Sequence, residues 1–296
     1  MGLARKIGSS IPKSGHLWYS NLWRQRAALE HLVLPEATVR KKLAATNIFF
    51  LLGSGRCGTM MLSNMLSRCP HTAALHEPRR FEDLAARPGC RRDPAYALDY
   101  VQKFRQYKIY RAVTRRGVKN FGEVSSPLRC VGAALKEVIP HARMFILVRD
   151  PRDGIRSAMN RQSQKDNPFR RDPVSPLPGD PYAQKWESMD EFARYCWWWM
   201  DSYRTLLRDL PGAPVVHFEK VLGRDGGDGY TYVNEHIAAP IGLTLTRADY
   251  DATVEKKSDN AAKGYTVSHW KEWNGEQRRV FDELCADTAR RLGYQV

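Results

Sequence analysis

The stretch "IFFLLGSGRCGTMML", residues 48–62, decides the fold. An unbroken apolar run stops at a glycine-rich turn, and apolar residues then recur at helical spacing. The run from Asn47 predicts a strand buried on both faces, because its bulky residues do not alternate with polar ones. Met61, Leu62, Met65 and Leu66 fall on one face of a helix that ends before Pro70. Between strand and helix, Gly53, Gly55 and Gly58 let the backbone turn so that several N–H groups face one point. The helix starting near Thr59 adds its positive end. Arg56 brings a forked cation and Thr59 a hydroxyl. Together they form a cradle for a phosphate or sulfonate group, and the plainer alternative is a strand–helix turn whose glycines serve close packing. The glycines also spell GxGxxG. However, the acidic residue expected about 20 positions on is Glu77, and it is followed by "PRRF" rather than by a strand end that would expose a ribose. A nucleoside-triphosphate loop is excluded by the missing lysine.

Further strands are predicted at 72–77, 118–126, 142–150 and 213–222. Helices are predicted at 96–107, 127–140, 153–162, 188–210, 232–243 and 274–294. This alternation predicts an α/β protein with a mainly parallel central sheet flanked by helices and with ligands beyond the carboxyl ends of the strands. Asp153 suits the start of the 153–162 helix. Asn274 and Gly293 suit the two ends of the last helix. Residues 163–187 read as a loop or lid, and 246–269 as a polar, mobile stretch. Residues 1–40 form a basic N-terminal helical extension, and 41–296 a single domain.

Lys and Arg number 47 against 32 Asp and Glu, a net charge of +15, so the substrate or partner is expected to be anionic. The arginines are scattered and no nucleic-acid-binding module is recognisable, so nucleic acid is not the expected partner. The six cysteines include no CxxC pair and read as reduced thiols of a cytoplasmic protein. No apolar run approaches the ~20 residues of a membrane helix, and the N-terminus lacks the apolar core of a signal peptide. Lys6 stands where a myristoylation pattern has Ser or Thr. Trp18 and Trp23 are expected to pack on the domain rather than to touch a membrane surface.

A second anion site is written in "ILVRDPRDGIRSAMNR", residues 146–161. Arg149 ends a strand, Pro151 forces a turn, and Ser157 and Arg161 lie one helical turn apart. Arg149, Ser157 and Arg161 can converge on one phosphate; ion pairing among Arg149, Asp150, Arg152 and Asp153 is the plainer alternative. Two phosphate holders at two strand ends call for a ligand with two separated phosphate groups.

At this point the residues resemble a known family. "GSGRCGTMML" resembles the 5′-phosphosulfate loop, and "RDPRDGIRS" the 3′-phosphate motif, of sulfotransferases that use 3′-phosphoadenosine 5′-phosphosulfate (PAPS). Ser157 follows Arg149 by eight residues, as in that family. Arg161 and the Arg-X-Gly-Thr core are similar to the protein-tyrosine sulfotransferases. The likeness extends more loosely through "GEVSSP", "VVHFEKVL" and "KGYTVSHWKEW" to a terminal "LGY", and covers roughly residues 46–296. It implies a P-loop NTPase-like sulfotransferase fold and transfer of a sulfuryl group from PAPS to an acceptor hydroxyl or amine, without a metal, leaving PAP. It also implies that Arg56, Cys57, Gly58, Thr59 and Met60 hold the 5′ end and that Arg149, Ser157 and Arg161 hold the 3′-phosphate. Lys263 and Gly264 would belong to a loop over the nucleotide. Arg56 takes the place of the lysine that many members carry. The frequent Glu-Lys-Ser/Thr-Pro stretch is here Glu123, Val124, Ser125, Ser126, Pro127.

The acceptor must lose a proton, and Glu77 is the expected general base, as a glutamate is in the matching region of the carbohydrate and tyrosine enzymes. His76 and Glu123 are its rivals, and an ion pair with Arg79 or Arg80 is Glu77's plainer role. A glycan, lipid-linked sugar or small natural product, already anionic or not, is expected as acceptor. Trp197, Trp198 and Trp199 cannot all face one way on a helix, so one or two are assigned to the core. Cys57 reads as a bystander thiol. The competing functions are a basic nucleic-acid-binding protein and a nucleotide kinase with a degenerate loop. The reading requires Gly58 and Ser157 to lie side by side.

Overall fold

The computed structural model describes residues 33–162, 174–255 and 267–296, and for Arg161 and Gln162 the backbone only. Its centre is a five-stranded, all-parallel sheet in the order β2-β3-β1-β4-β5. The strands are β1 (Asn47–Leu52), β2 (Thr72–His76), β3 (Asn120–Ser125), β4 (Arg143–Val148) and β5 (Val215–His217).

The continuous apolar run of β1 is explained by its central place. Ile48, Phe50 and Leu52 enter the core on one face, while Phe49 and Leu51 enter a second core on the other. Phe49 is paired with Gly122 of β3, and a Cβ there would come within 2.0 Å of its ring. That strand position therefore has to be glycine.

Seven helices matter for the site. The first two are α1 (Glu36–Ala44), which spans the expected boundary at residue 40, and α2 (Thr59–Leu66). Next come α3 (Arg80–Arg92), α4 (Pro94–Tyr100) and, beyond a π-turn at Val101–Arg105, α5 (Gln106–Arg116). α6 (Pro151–Gln162) follows β4, and α7 (Glu191–Asp209) precedes β5. Leu62, Met65 and Leu66 of α2 pack on one face of the sheet; Ile155 and Ala158 of α6 pack on the other. The neighbouring strands β1 and β4 thus send their chains to opposite faces. The crevice at their carboxyl ends is a topological switch point, where open parallel sheets bind ligands.

Several sequence expectations need correction. Pro151, at the first helical position, starts α6 earlier than expected. The backbone N–H of Arg152 donates to Asp150 Oδ1 (2.9 Å), so Asp150 caps the helix and Asp153 lies in its first turn. Of the strand expected over 213–222, only Val215–His217 is extended, and a one-turn helix, Phe218–Val221, follows. Within 246–269, Arg247–Val254 is helical, capped by Thr246, which accepts from the N–H of Asp249 at 3.1 Å. All three tryptophans 197–199 are buried, because α7 is enclosed by α6 on one side and the last helix, Gly275–Arg291, on another. That last helix begins with a capping box between Asn274 and Gln277, and Gly293 lies beyond its end at φ 87°. No described helix is long and apolar enough to cross a membrane.

Candidate active site

The glycine loop leaves β1 through Gly53, where a Cβ would lie 2.5 Å from the carbonyl oxygen of Leu147 on β4. It is pinned from beneath by Tyr203 of α7. The Tyr203 hydroxyl donates to Leu147 O (3.0 Å) and accepts from Ser54 Oγ (3.1 Å). Gly58 adopts φ +85°, and a Cβ there would meet the Phe218 ring at 2.1 Å. Cys57 is fully buried, and burial pushes its thiol up to about 11, which leaves it inert at neutral pH.

The two anion motifs meet. Arg56 Nε donates to Ser157 Oγ at 3.1 Å, and Arg149 Nη1 reaches the Arg56 carbonyl oxygen at 3.4 Å. Gly58 and Ser157 therefore belong to one site. The ion pairing weighed as the plainer reading is also present in part. Arg152 forks onto Asp150 (2.6 and 2.9 Å), while Arg149 stands 3.8 Å from Asp153. Arg149 remains directed at the glycine loop. Phe218 bridges both motifs, since the Arg149 guanidinium lies 5.7 Å from its ring centre. Glu219 holds the turn from below: it accepts from the N–H of Asp150 (2.9 Å) and from the Tyr294 hydroxyl (2.9 Å). No sequence signal set Tyr203 apart; Phe218 and Glu219 lie in the "VVHFEKVL" stretch of the resemblance, which gave them no role.

β2 delivers the other half. Thr59 Oγ1 and His76 Nε2 are 3.0 Å apart, so His76 contacts the head of α2. Glu77 stands at the strand end with φ +45°. Among described non-glycine residues with positive φ, Arg56 and Glu77 are two of three, the third being His71. Such backbone costs of order 1–3 kcal/mol for a side-chain-bearing residue, and it gathers at functional sites. Glu77 Oε1 accepts from Ser126 Oγ (2.5 Å), and Oε2 pairs with Arg80 (2.5 Å). Burial pushes its carboxyl up, but Arg80, His76 and the Ser126 hydrogen bonds outweigh that and hold it below the ordinary range. Glu77 thus combines its expected place with the arginine pair weighed against it; the partner is Arg80, while Arg79 stands 3.6 Å from Glu82.

Glu123 is enclosed elsewhere, in a cluster with Arg105 and Asp83, and burial pushes its carboxyl up. Met60 is exposed on the first turn of α2. The side chain of Arg161 lies outside the described residues, as do Lys263 and Gly264. Among the described residues no group of His, Cys, Asp and Glu is arranged to hold a metal ion.

No family model and no curated protein matches the chain. Solved structures do. Sulfotransferase STF1 of Mycobacterium tuberculosis is 14% identical over 90% of this chain and 84% of its own, with a TM-score of 0.50. A sulfotransferase of Alicyclobacillus acidocaldarius is 16% identical over 85% and 97%, with a TM-score of 0.43. STF9 of Mycobacterium avium is 12% identical over 95% and 83%, with a TM-score of 0.47. At such identities the likeness concerns architecture: the chain has the P-loop-like α/β fold of the sulfotransferases.

Proposed function

We propose that the protein transfers a sulfuryl group from PAPS to an acceptor hydroxyl. The observation that carries this reading is the Arg56–Ser157 hydrogen bond, which joins the glycine loop to the arginine–serine motif at the switch point of the sheet. A ligand with phosphate groups at two ends fits such a pair, and a single-phosphate ligand would leave one of them idle.

In this reading the backbone of residues 56–60 holds the phosphosulfate, and Arg149, Ser157 and Arg161 hold the 3′-phosphate. The acceptor oxygen attacks sulfur in line. A new O–S bond forms as the bond from sulfur to the 5′-phosphate breaks, and the acceptor proton passes to Glu77. Charge grows on the departing phosphate, where the Arg56 guanidinium and the positive end of α2 stabilise it. Glu77, held ionised, accepts the proton without first having to lose one. His76 orients Thr59 at the loop and is the rival base.

Calorimetry with PAP tests the donor site. Arg149→Ala and Ser157→Ala should each weaken PAP by about tenfold to a hundredfold, the loss of one or two hydrogen bonds to a charged group. Unchanged affinity in both variants would reject the assignment. Tight binding of ATP with magnesium and none of PAP would favour the kinase.

A further inference from the structure

Behind the arginine–serine motif, three consecutive residues at the end of β5 are each tied to another part of the molecule. His217 Nε2 donates to the carbonyl oxygen of Leu292 (2.7 Å). Phe218 stands between Gly58 and Arg149. Glu219 accepts from the Asp150 N–H through Oε1 and from the Tyr294 hydroxyl through Oε2, both at 2.9 Å. The first and third of these ties run to the turn that follows the last helix, and that turn is built locally. The N–H of Tyr294 donates to Ala289 O (3.0 Å), the N–H of Gly293 donates to Arg290 O (2.9 Å), and Gly293 takes φ +87°. This is the Schellman arrangement, whose left-handed residue is best supplied by glycine. It fixes the backbone on both sides of Gly293. The Leu292 carbonyl then faces His217, and the Tyr294 ring packs edge-on against the same imidazole, with 5.2 Å between ring centres.

The tie reaches the anion motif by a short route. Asp150 directly follows Arg149. Its N–H is held by Glu219, and its carboxylate caps α6 and accepts the Arg152 fork. With N–H and carboxylate both engaged, the residue between Arg149 and α6 has little freedom to turn. Arg149 leaves it toward the glycine loop, and Ser157 sits on the helix it caps. Two carboxylates so close to an anion motif would repel a phosphate if bare. The Arg152 guanidinium takes up the charge of Asp150, and the two Glu219 oxygens each accept a hydrogen bond. Tyr294 supplies one of those donors. Burial and the Glu219 charge push its hydroxyl well up, which keeps it protonated and donating.

We propose that Glu219 and Tyr294 are positioning residues for the 3′-phosphate of the donor. Tyr294 holds the Glu219 carboxylate, and Glu219 holds the Arg149–Asp150 backbone at the angle that aims the arginine at the phosphate. Both act through Asp150 rather than on the ligand itself. This inference rests on the donor reading above. It adds where a 3′-phosphorylated nucleotide is told from its unphosphorylated counterpart, and it makes the turn after the last helix part of that selection.

The test is calorimetry of the full chain with PAP and with AMP, which has the adenosine and the 5′-phosphate but lacks the 3′-phosphate. The ratio of the two affinities reads the 3′-phosphate alone. Glu219→Ala should lower that ratio by about tenfold or more, and Tyr294→Phe by about threefold to tenfold, following the hydrogen bonds to a charged group that each removes. Glu219→Gln should recover part of the loss, since its amide oxygen still accepts from the Asp150 N–H. Tyr294→Phe combined with Glu219→Ala should be no worse than Glu219→Ala alone, because the tyrosine acts through that carboxylate. A merely structural role would lower Tm and weaken PAP and AMP alike. An unchanged ratio in Tyr294→Phe and Glu219→Ala, or additive losses in the double variant, overturns the inference. Where Glu219→Ala does not fold, Tyr294→Phe, which keeps the ring, decides. A wild-type chain that binds PAP no better than AMP brings down the donor reading as well, whereas a preference for PAP that both variants keep removes this inference alone.

Discussion

The proposed donor and acceptor halves of the site are built by different means. On the donor side, the anion holders are short continuous segments, Gly53–Thr59 and Arg149–Ser157, each a strand end followed by a helix start. On the proposed acceptor side, His76, Glu77 and Ser126 come from separate elements, and Glu77 and Ser126 meet only because β2 lies beside β3. A site that grips an invariant nucleotide can be local in sequence. A site shaped to one acceptor is assembled from distant parts, and it can change one element at a time.

Mutations should separate the two halves. Glu77→Gln has the largest expected effect: turnover falls by about a hundredfold to ten-thousandfold, the usual span for losing a general base, while calorimetric PAP affinity stays near wild type. Retained turnover would move the base to His76. The pH profile sharpens the same point. Because Glu77 sits below its ordinary range, the rate should hold level as pH falls from 8 through 6 and decline only below about 4.5. A decline centred near ~6.5, the usual value for an imidazole, would contradict the assignment.

The next effect belongs to the donor half. Gly58→Ala places a methyl group against the Phe218 ring at a backbone angle unsuited to it. It should lower stability by about 1–3 kcal/mol and weaken PAP together with it; a variant that melts and binds like wild type would show that the loop is not tightly packed. The smallest effect is predicted behind the acceptor half. Burial pushes the Asp83 carboxyl up to about 7, with Arg105 and Tyr100 opposing the rise. A carboxyl raised in the fold contributes most at low pH and loses that contribution as pH rises through 7. The Tm advantage of wild type over Asp83→Asn should therefore shrink between pH 5 and pH 8, and a constant difference would place the Asp83 proton elsewhere.

The same contrast explains what the sequence revealed. The sheet and the two loops at its switch point were legible because glycine spacing, apolar runs and the interval from Arg149 to Ser157 are local signals. The Arg56–Ser157 bond was foreseen as a neighbourhood, not as a contact. The Glu77–Ser126 bond spans 49 residues, and its existence depends on strand order, which no local pattern encodes. Tyr203 reads as an ordinary core position, and Phe218 and Glu219 as part of a loosely matching strand, until the loops they support are seen. Only one or two of the three tryptophans were assigned to the core because a lone helix has an outer face, whereas all three are buried in α7.

Phe218, wedged between Gly58 and Arg149, also carries a thermodynamic consequence. One rigid ring in contact with both loops means that neither can shift without disturbing the other. Occupancy at one end of the donor should then raise affinity at the other, and by linkage the influence must be mutual. Two half-ligands, one resembling each end, would bind together more tightly than their separate affinities predict, and Phe218→Ala would leave them indifferent to each other.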